Sequence, residues 1–506
     1  MKYPIINSQE ENPFSKLVSG QTIVEIPEFE LECGDVIFKV PVAYKTWGKL
    51  NEKGDNCMVI CHALTGSADV SDWWGPLLGR GKAFDPTKFF IICLNSLGSP
   101  YGSASPMTTD HEFGGGRYGP EFPLATIRDD VRIHKMVLDA LGVKEVAICI
   151  GGSMGGMLAL EWTFVDDGKF VKNLVALATS AKHSAWCISW GEAQRQCIYS
   201  DPLYKDGYYS LEEPPTAGLG AARMSALLTY RSRNSFESRF GRDAPTPKQK
   251  SKSVVNTSNP DAMIHDNHTA NKDETTAVVE DTEHEHEHER ELNWRVHNDG
   301  AYRKKSFESY HTNSRSNSLS SNASCDDNTT VTSVGSLDSP NFNKPRSRSR
   351  RLPQHYFSAQ SYLRYQANKF VGRFDANCYI AITRKLDTHD VGRDRIEFNN
   401  DTAIALQSRT QPTLVIGISS DALFTLSEQI FIAKNMPNAT MKKIDSPEGH
   451  DAFLLEFNEI NEMILNFERE NLREFMNNAG NNEDWNESIE EVKESVFGEA
   501  EDVAQW

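Results

Sequence analysis

Ser153 sits in the pentapeptide Gly151-Gly152-Ser153-Met154-Gly155, after the apolar run 146–150 and before a helical pattern over 157–162. G-x-S-x-G between a strand and a helix is the pattern of a nucleophile elbow: a tight turn lifts the hydroxyl clear of the sheet, and the next helix aims its N-terminus at it. A glycine-rich strand-to-helix turn without chemistry is the simpler alternative. The apolar strand before the serine, the helix after it and the small residues Gly155 and Gly156, which permit close helix–sheet contact, favour the catalytic reading.

A serine hydroxyl needs a base, and the base needs an orienting acid. Around an elbow of this kind the chain order is serine, acid, histidine. Of the 14 histidines, His62, His111 and His134 precede Ser153 and seven fall in a polar stretch of low complexity. Among His183, His355, His389 and His450, only His450 lies in a loop after a predicted strand near the end of the folded body, in KKIDSPEGHDAFLL. His389, in LDTHD, ends a helical pattern and reads as a surface residue. Asp421 follows the apolar run 413–418 and is the expected acid, holding the imidazole tautomer. Asp445 is too close to His450 along the chain, and Asp387 and Asp390 belong to another segment.

An oxyanion produced at the serine needs two backbone N–H groups. One is expected from Met154, directly after the nucleophile, and the other from Leu64, in the loop His62-Ala63-Leu64-Thr65-Gly66 after an early strand. His62 then bonds loop backbone rather than acting as a second base.

These groups need a scaffold. The runs 59–61, 89–94, 146–150, 413–418 and 441–444 read as buried strands. Residues 126–141 place Ile127, Val131, His134, Val137, Leu138 and Leu141 on one helical face, with Gly142 as a stop signal. Alternating strands and helices around an elbow predict an α/β-hydrolase fold: a mostly parallel central sheet, helices on both faces and a helical lid. The expected organisation is core over 1–185, lid over 186–242, a disordered insertion over 243–357, lid again over 358–400, core over 401–475 and an acidic tail over 476–506. In the tail, Trp485, Ile489, Val492 and Val496 have the spacing of an amphipathic helix docked on the body or on a partner.

Composition agrees with a long solvated part. The 506 residues are 39% hydrophobic, with a mean hydropathy of −0.52. A net charge of −18 argues against nucleic acid as the main partner. No run approaches the ~20 apolar residues of a membrane span, and no secretory leader pattern is visible. Nine cysteines occur singly, which fits a reduced, cytoplasmic setting. The tract EHEHEHE over 283–289 offers histidines to a metal, and RSRSRR over 346–351 offers serines to a kinase. Solvated low complexity explains both more simply, so no metal is expected.

Several motifs occur together in one order: HALTGS at His62, NSLGSPYGSASP at Asn95, YGPEFPLATIRDD at Tyr118, GGSMGGM at Gly151, ARMSALLTYRSRNSFESRFGR at Ala222, SYLRYQ at Ser361, RFDANCYI at Arg373 and SPEGHDAFL at Ser446. With them the chain closely resembles the homoserine O-acetyltransferase family, in its fungal form. The resemblance implies transfer of acetyl from acetyl-CoA, a co-substrate rather than a cofactor, to L-homoserine by a ping-pong acyl-serine mechanism, in methionine biosynthesis. It also implies a homodimer. Arg223, Tyr230 and Asp451 become substrate-pocket residues: Arg223 offers a two-pronged donor to a carboxylate, and Asp451 a partner for an ammonium. Without the resemblance, Arg223 reads as an exposed helix cation. Succinyl transfer, serine as acceptor, simple ester hydrolysis and a non-catalytic role centred on the insertion are the rival readings. GSASP at Gly102 differs from the GSTGP expected of many relatives, in a loop expected to border the acyl pocket.

Overall fold

Four of the expected runs, 59–61, 89–94, 146–150 and 413–418, join the further apolar run 174–177 as the interior of one sheet, because strands covered by helices on both faces have no polar side to show. The run 441–444, expected to be buried, lies instead in the edge strand, where only Ile444 is buried. The computed structural model of the chain describes residues 2–242 except 113, residues 290–299 except 292 and 295, and residues 357–477. The tracts 283–289 and 346–351, and the apolar positions of the acidic tail, lie outside the described residues.

The described strands are β1 (Ile5–Ile6), β2 (Thr22–Glu30), β3 (Val36–Trp47), β4 (Cys57–Cys61), β5 (Phe90–Leu94), β6 (Val146–Gly152), β7 (Leu174–Leu177), β8 (Thr413–Ile418) and β9 (Ala439–Ile444). Their order in the sheet is β1-β2-β3-β5-β4-β6-β7-β8-β9. β1, β2, β3 and β5 pair antiparallel, and every pair from β5–β4 to β8–β9 is parallel. β6 therefore sits centrally, with every residue buried. In such sheets the carboxyl ends of central strands are where functional loops gather.

The helix Ile127–Leu141 shows how local signals set an element. Thr126 and Asp129 form a capping box, and Gly142 closes the other end at φ 88°. Between β7 and β8 the chain leaves the sheet and builds the helices Ala185–Tyr199, Thr216–Tyr230, Arg233–Arg239, Ser358–Val371 and Ala376–Asp387. The last of these is pinned to the core by a buried ion pair, Lys385 Nζ to Asp130 at 2.5 Å. After Asp387 the chain returns to the core: Val391 N donates to Ala181 O (2.9 Å), and the Arg395 guanidinium bonds Glu161.

The chain divides into two compact units, one of Met1–Gly241 with Tyr362–Trp506 and one of Arg242–Ser361. Within the second, the described residues include a helical turn in which Asn298 N donates to Trp294 O at 2.9 Å. No helix among the described residues is long and apolar enough to cross a membrane.

Candidate active site

The end of β6 forces Ser153 into an unusual backbone conformation, φ 58° and ψ −126°. Such a conformation costs about 1–3 kcal/mol for a residue with a side chain, so its surroundings must over-determine it. They do: Ser153 N donates to Leu177 O (3.0 Å), and Thr179 Oγ1 donates to Ser153 O (2.7 Å). The flanking glycines allow backbones to touch. A Cβ on Gly151 would meet Gly155 O at 2.0 Å, and one on Gly155 would meet Cys61 O at 2.1 Å. The second contact sets the helix Met154–Trp162 against the end of β4, where the loop of His62 begins.

Ser153 Oγ lies 2.9 Å from His450 Nε2, and His450 Nδ1 lies 2.7 Å from Asp421 Oδ2. Asp421 is held by Leu423 N and Phe424 N, each 2.9 Å from its other oxygen. A carboxylate only accepts, so Nδ1 carries the proton that it receives, and Nε2 is left to take the Ser153 proton. Burial by itself would lower the imidazole pKa. The adjacent Asp421 carboxylate, with Asp451 and Glu428 further out, outweighs it and raises His450 above the ordinary histidine value. His450 occupies the 3-10 turn Gly449–Leu454 and packs its ring against Phe424 and Phe453, 5.2 and 5.1 Å between centroids. The rival acids stand elsewhere: Asp445 pairs with Lys443, Asp387 with Arg195 and Asp390 with Lys182.

Leu64, with Ala63, Thr65 and Gly66, lines the same cavity as Ser153. Met154 is the first residue of the helix that follows the elbow. Among the described residues no acceptor takes either the Leu64 or the Met154 amide. His62 is structural, as expected: Nδ1 bonds Ala63 O at 2.8 Å, and Nε2 accepts from Ser96 N at 3.0 Å. Burial pushes its pKa down to about 4, so it stays neutral. His389 departs from expectation. It is buried and bonds Ser180 O at 3.0 Å, because the chain after Asp387 turns back onto the core.

Tyr230 and Asp451 line the cavity beside His450, while Trp190, Gln194, Thr383 and Leu386 close it from the lid helices. Arg223 departs from the solvated position that its helix alone suggests. It is 1% exposed, and it stands behind the cavity wall with its guanidinium 4.8 Å from the Phe370 ring centroid and 5.6 Å from that of Tyr230. The loop 102–106 does not line this cavity. It is tied to β3 and β5 instead, where Ser103 Oγ accepts from Ala43 N and donates to Asn95 O.

The alpha/beta hydrolase fold family matches residues 56–272. Homoserine O-acetyltransferase of Saccharomyces cerevisiae is 54% identical over 98% of this chain and 96% of its own length. The proteins of that name from Schizosaccharomyces pombe and Emericella nidulans are 51% and 52% identical, each over 99% of this chain and over 96% and 98% of their own lengths.

The chain belongs to the homoserine O-acetyltransferase family.

Among solved structures, homoserine O-acetyltransferase from Bacillus anthracis matches with a TM-score of 0.62 at 18% identity, over 88% of this chain and 96% of that one. Esterase E22 matches with a TM-score of 0.60 at 20% identity, over 88% and 99%. At these identities the likeness shows the fold, which both share with this member of the homoserine O-acetyltransferase family.

Two residues inside the family motifs escaped the sequence reading. Arg231 follows Tyr230 and reaches Asp451 (Nε to Oδ2, 3.4 Å) and Glu448 (2.7 Å). Glu448, two residues before His450, also meets Arg239 at 2.7 Å. The available signal was a charged residue within two positions of each of two residues already singled out, Tyr230 and His450. Ser420, beside Asp421, was missed as well. Its hydroxyl donates to Ser446 O (2.5 Å) and accepts from Gly449 N (2.9 Å), which joins the two loops that carry the acid and the histidine.

Proposed function

We propose that this chain acetylates the hydroxyl of L-homoserine with acetyl-CoA through an acetyl ester on Ser153, a step toward methionine. The observation that carries the reading is the hydrogen-bonded line from Asp421 through His450 to Ser153, ending at a cavity bordered by Tyr230 and Asp451. The name borne by the fungal relatives supports homoserine as acceptor and acetyl as the group transferred.

In the first half-reaction His450 takes the Ser153 proton as Oγ attacks the thioester carbonyl. The Leu64 and Met154 amides hold the oxyanion. The C–S bond breaks, the proton passes from His450 to the leaving thiolate, and CoA departs. In the second, His450 takes the homoserine hydroxyl proton, that oxygen attacks the acetyl ester, and Ser153 recovers its proton. Asp421 steadies the imidazolium throughout. Tyr230 and Asp451 face the acceptor, with Asp451 taking its ammonium. Arg223, one layer back and shielded from water, supplies positive charge for its carboxylate, since buried charge acts strongly at short range. Water competes with homoserine for the acetyl ester, and the cavity walls supplied by the lid helices serve to exclude it.

The scattered single thiols support a cytosolic setting, and the family resemblance supports a homodimer. The test is a matrix of acetyl-CoA and succinyl-CoA against homoserine and serine, read as CoA release and acyl-amino-acid formation. The proposal expects turnover with acetyl-CoA and homoserine well above the other pairs. Equal CoA release without any amino acid would instead identify a hydrolase.

A further inference from the structure

The turn that carries His450 is held from two sides. On the sheet side, Gly449 N donates to Ser420 Oγ at 2.9 Å, and Trp74 Nε1 donates to Phe453 O at 3.0 Å. On the lid side most of the polar contacts converge on one carboxylate. Glu448 directly precedes the turn Gly449–Leu454, and its carboxylate receives Arg231 Nη1, Ser235 Oγ and Arg239 Nη2, each at 2.7 Å. Arg231 also approaches Asp451, so a single guanidinium spans the residues on both sides of His450. Ser232 Oγ donates to Pro447 O. Gly449, at φ 72°, lets the chain at 230–232 lie directly against the turn: a Cβ there would meet Ser232 N at 2.5 Å.

The Arg231 side chain is 1% exposed and that of Glu448 14%, so this is not a solvent-screened surface pair. Although burial opposes its ionisation, bonds from Arg239 and Ser235 keep the Glu448 carboxyl below the usual range, and the clamp stays charged.

We propose that Glu448 is a positioning residue: through Arg231 and Arg239 it ties the His450 turn to the segment 231–239 and so sets how His450 meets Ser153. This rests on reading Ser153, His450 and Asp421 as the reacting set. It extends that reading by making alignment of the base depend on a segment of the lid. The sheet-side anchors persist without Glu448, so its loss loosens the turn without unfolding the chain. A base displaced by a fraction of an ångström still binds substrate but transfers protons poorly.

The experiment compares full-length wild type, Glu448→Gln, Arg239→Gln, the double variant and Ser153→Ala. It measures kcat and KM for both substrates, the pH profile of kcat/KM, and the rate at which a fluorophosphonate labels Ser153. Folding is checked by circular dichroism. Glu448→Gln is expected to lower kcat and the labelling rate about tenfold or more, with KM little changed and the acid limb of the profile unmoved. Arg239→Gln is expected to show a smaller loss, and the double variant to be no worse than Glu448→Gln alone, because both changes break one clamp. Folded Glu448→Gln with wild-type kcat and labelling rate overturns the proposal, as does a loss confined to KM. If Glu448→Gln fails to fold, Arg239→Gln decides the matter. Its side chain is 25% exposed, and wild-type kcat and labelling rate in that variant overturn the proposal. Retained turnover in Ser153→Ala would instead remove the reading beneath it.

Discussion

His450 Nε2 lies 2.9 Å from Ser153 Oγ, although 297 positions of chain separate the two residues. The contact is made by the fold: β6 delivers the serine at the centre of the sheet, and the turn after β9 delivers the imidazole from near the end of the described chain. Asp421, after β8, completes the line.

Asp421→Asn tests the orienting bond. An asparagine amide keeps the shape but presents the Nδ1 position with a donor or a neutral acceptor, so the imidazole loses both its fixed tautomer and its counter-charge. A fall in kcat of about 10³–10⁴-fold is expected in an otherwise intact protein. Steady-state rates beside a circular dichroism spectrum measure it, and a loss of only a fewfold would argue that the carboxylate is dispensable.

Glu428 gives a pH prediction. Burial pushes its carboxyl up to about 7, Thr425 opposes through hydrogen bonds, and the Asp421 carboxylate adds to the rise. The folded state therefore holds a proton that the unfolded chain, near 4.5, releases. Native stability from this group falls as pH rises from about 4.5 to about 7. Glu428→Gln keeps the capping bonds and removes the charge. Its melting temperature should match wild type at pH 5 and exceed it at pH 8. Ionised Glu428 also raises the His450 pKa, so the acid limb of kcat/KM should move to lower pH in the variant. A limb that stays in place or moves to higher pH would contradict the account.

The buried pair of Asp130 and Lys385 makes a stability prediction. Lys385 Nζ also donates to Leu97 O at 2.6 Å, while Asp130 Oδ1 accepts from Leu97 N at 2.8 Å. Lys385→Met strands a carboxylate in the interior and should cost about 3–5 kcal/mol. Asp130→Leu in the same chain should recover most of that loss. Urea unfolding of the single and double variants reads the difference, and a single-variant loss below about 1 kcal/mol would show that the pair is less isolated from water than its burial indicates.

The core strands were legible because burial on both faces leaves apolar runs such as 413–418 with no polar alternation to confuse them. The elbow was legible because its constraints are local, and serine–acid–histidine order together with the low-complexity stretch then excluded ten of the other thirteen histidines. What stayed hidden depends on contacts distant in sequence. Arg223 carries no local sign that the rings of Phe370 and Tyr230 will cover it. His389 looks like the frayed end of a helix until Ser180 is brought beneath it. The loop 102–106 reads as a pocket wall, yet Gly102 packs so tightly against Ala43 that a Cβ would come within 3.0 Å. The lid-side clamp on Glu448 needs residues 231–239 and 448 in one place, and no spacing announces that.

The most direct measurement is the mass of the enzyme after brief exposure to acetyl-CoA alone, quenched in acid and digested. The account predicts one acetyl group on the peptide that contains Ser153, discharged when L-homoserine is added before the quench and absent in Ser153→Ala. An unmodified Ser153 peptide under conditions of rapid turnover, or full transfer by Ser153→Ala, would contradict it.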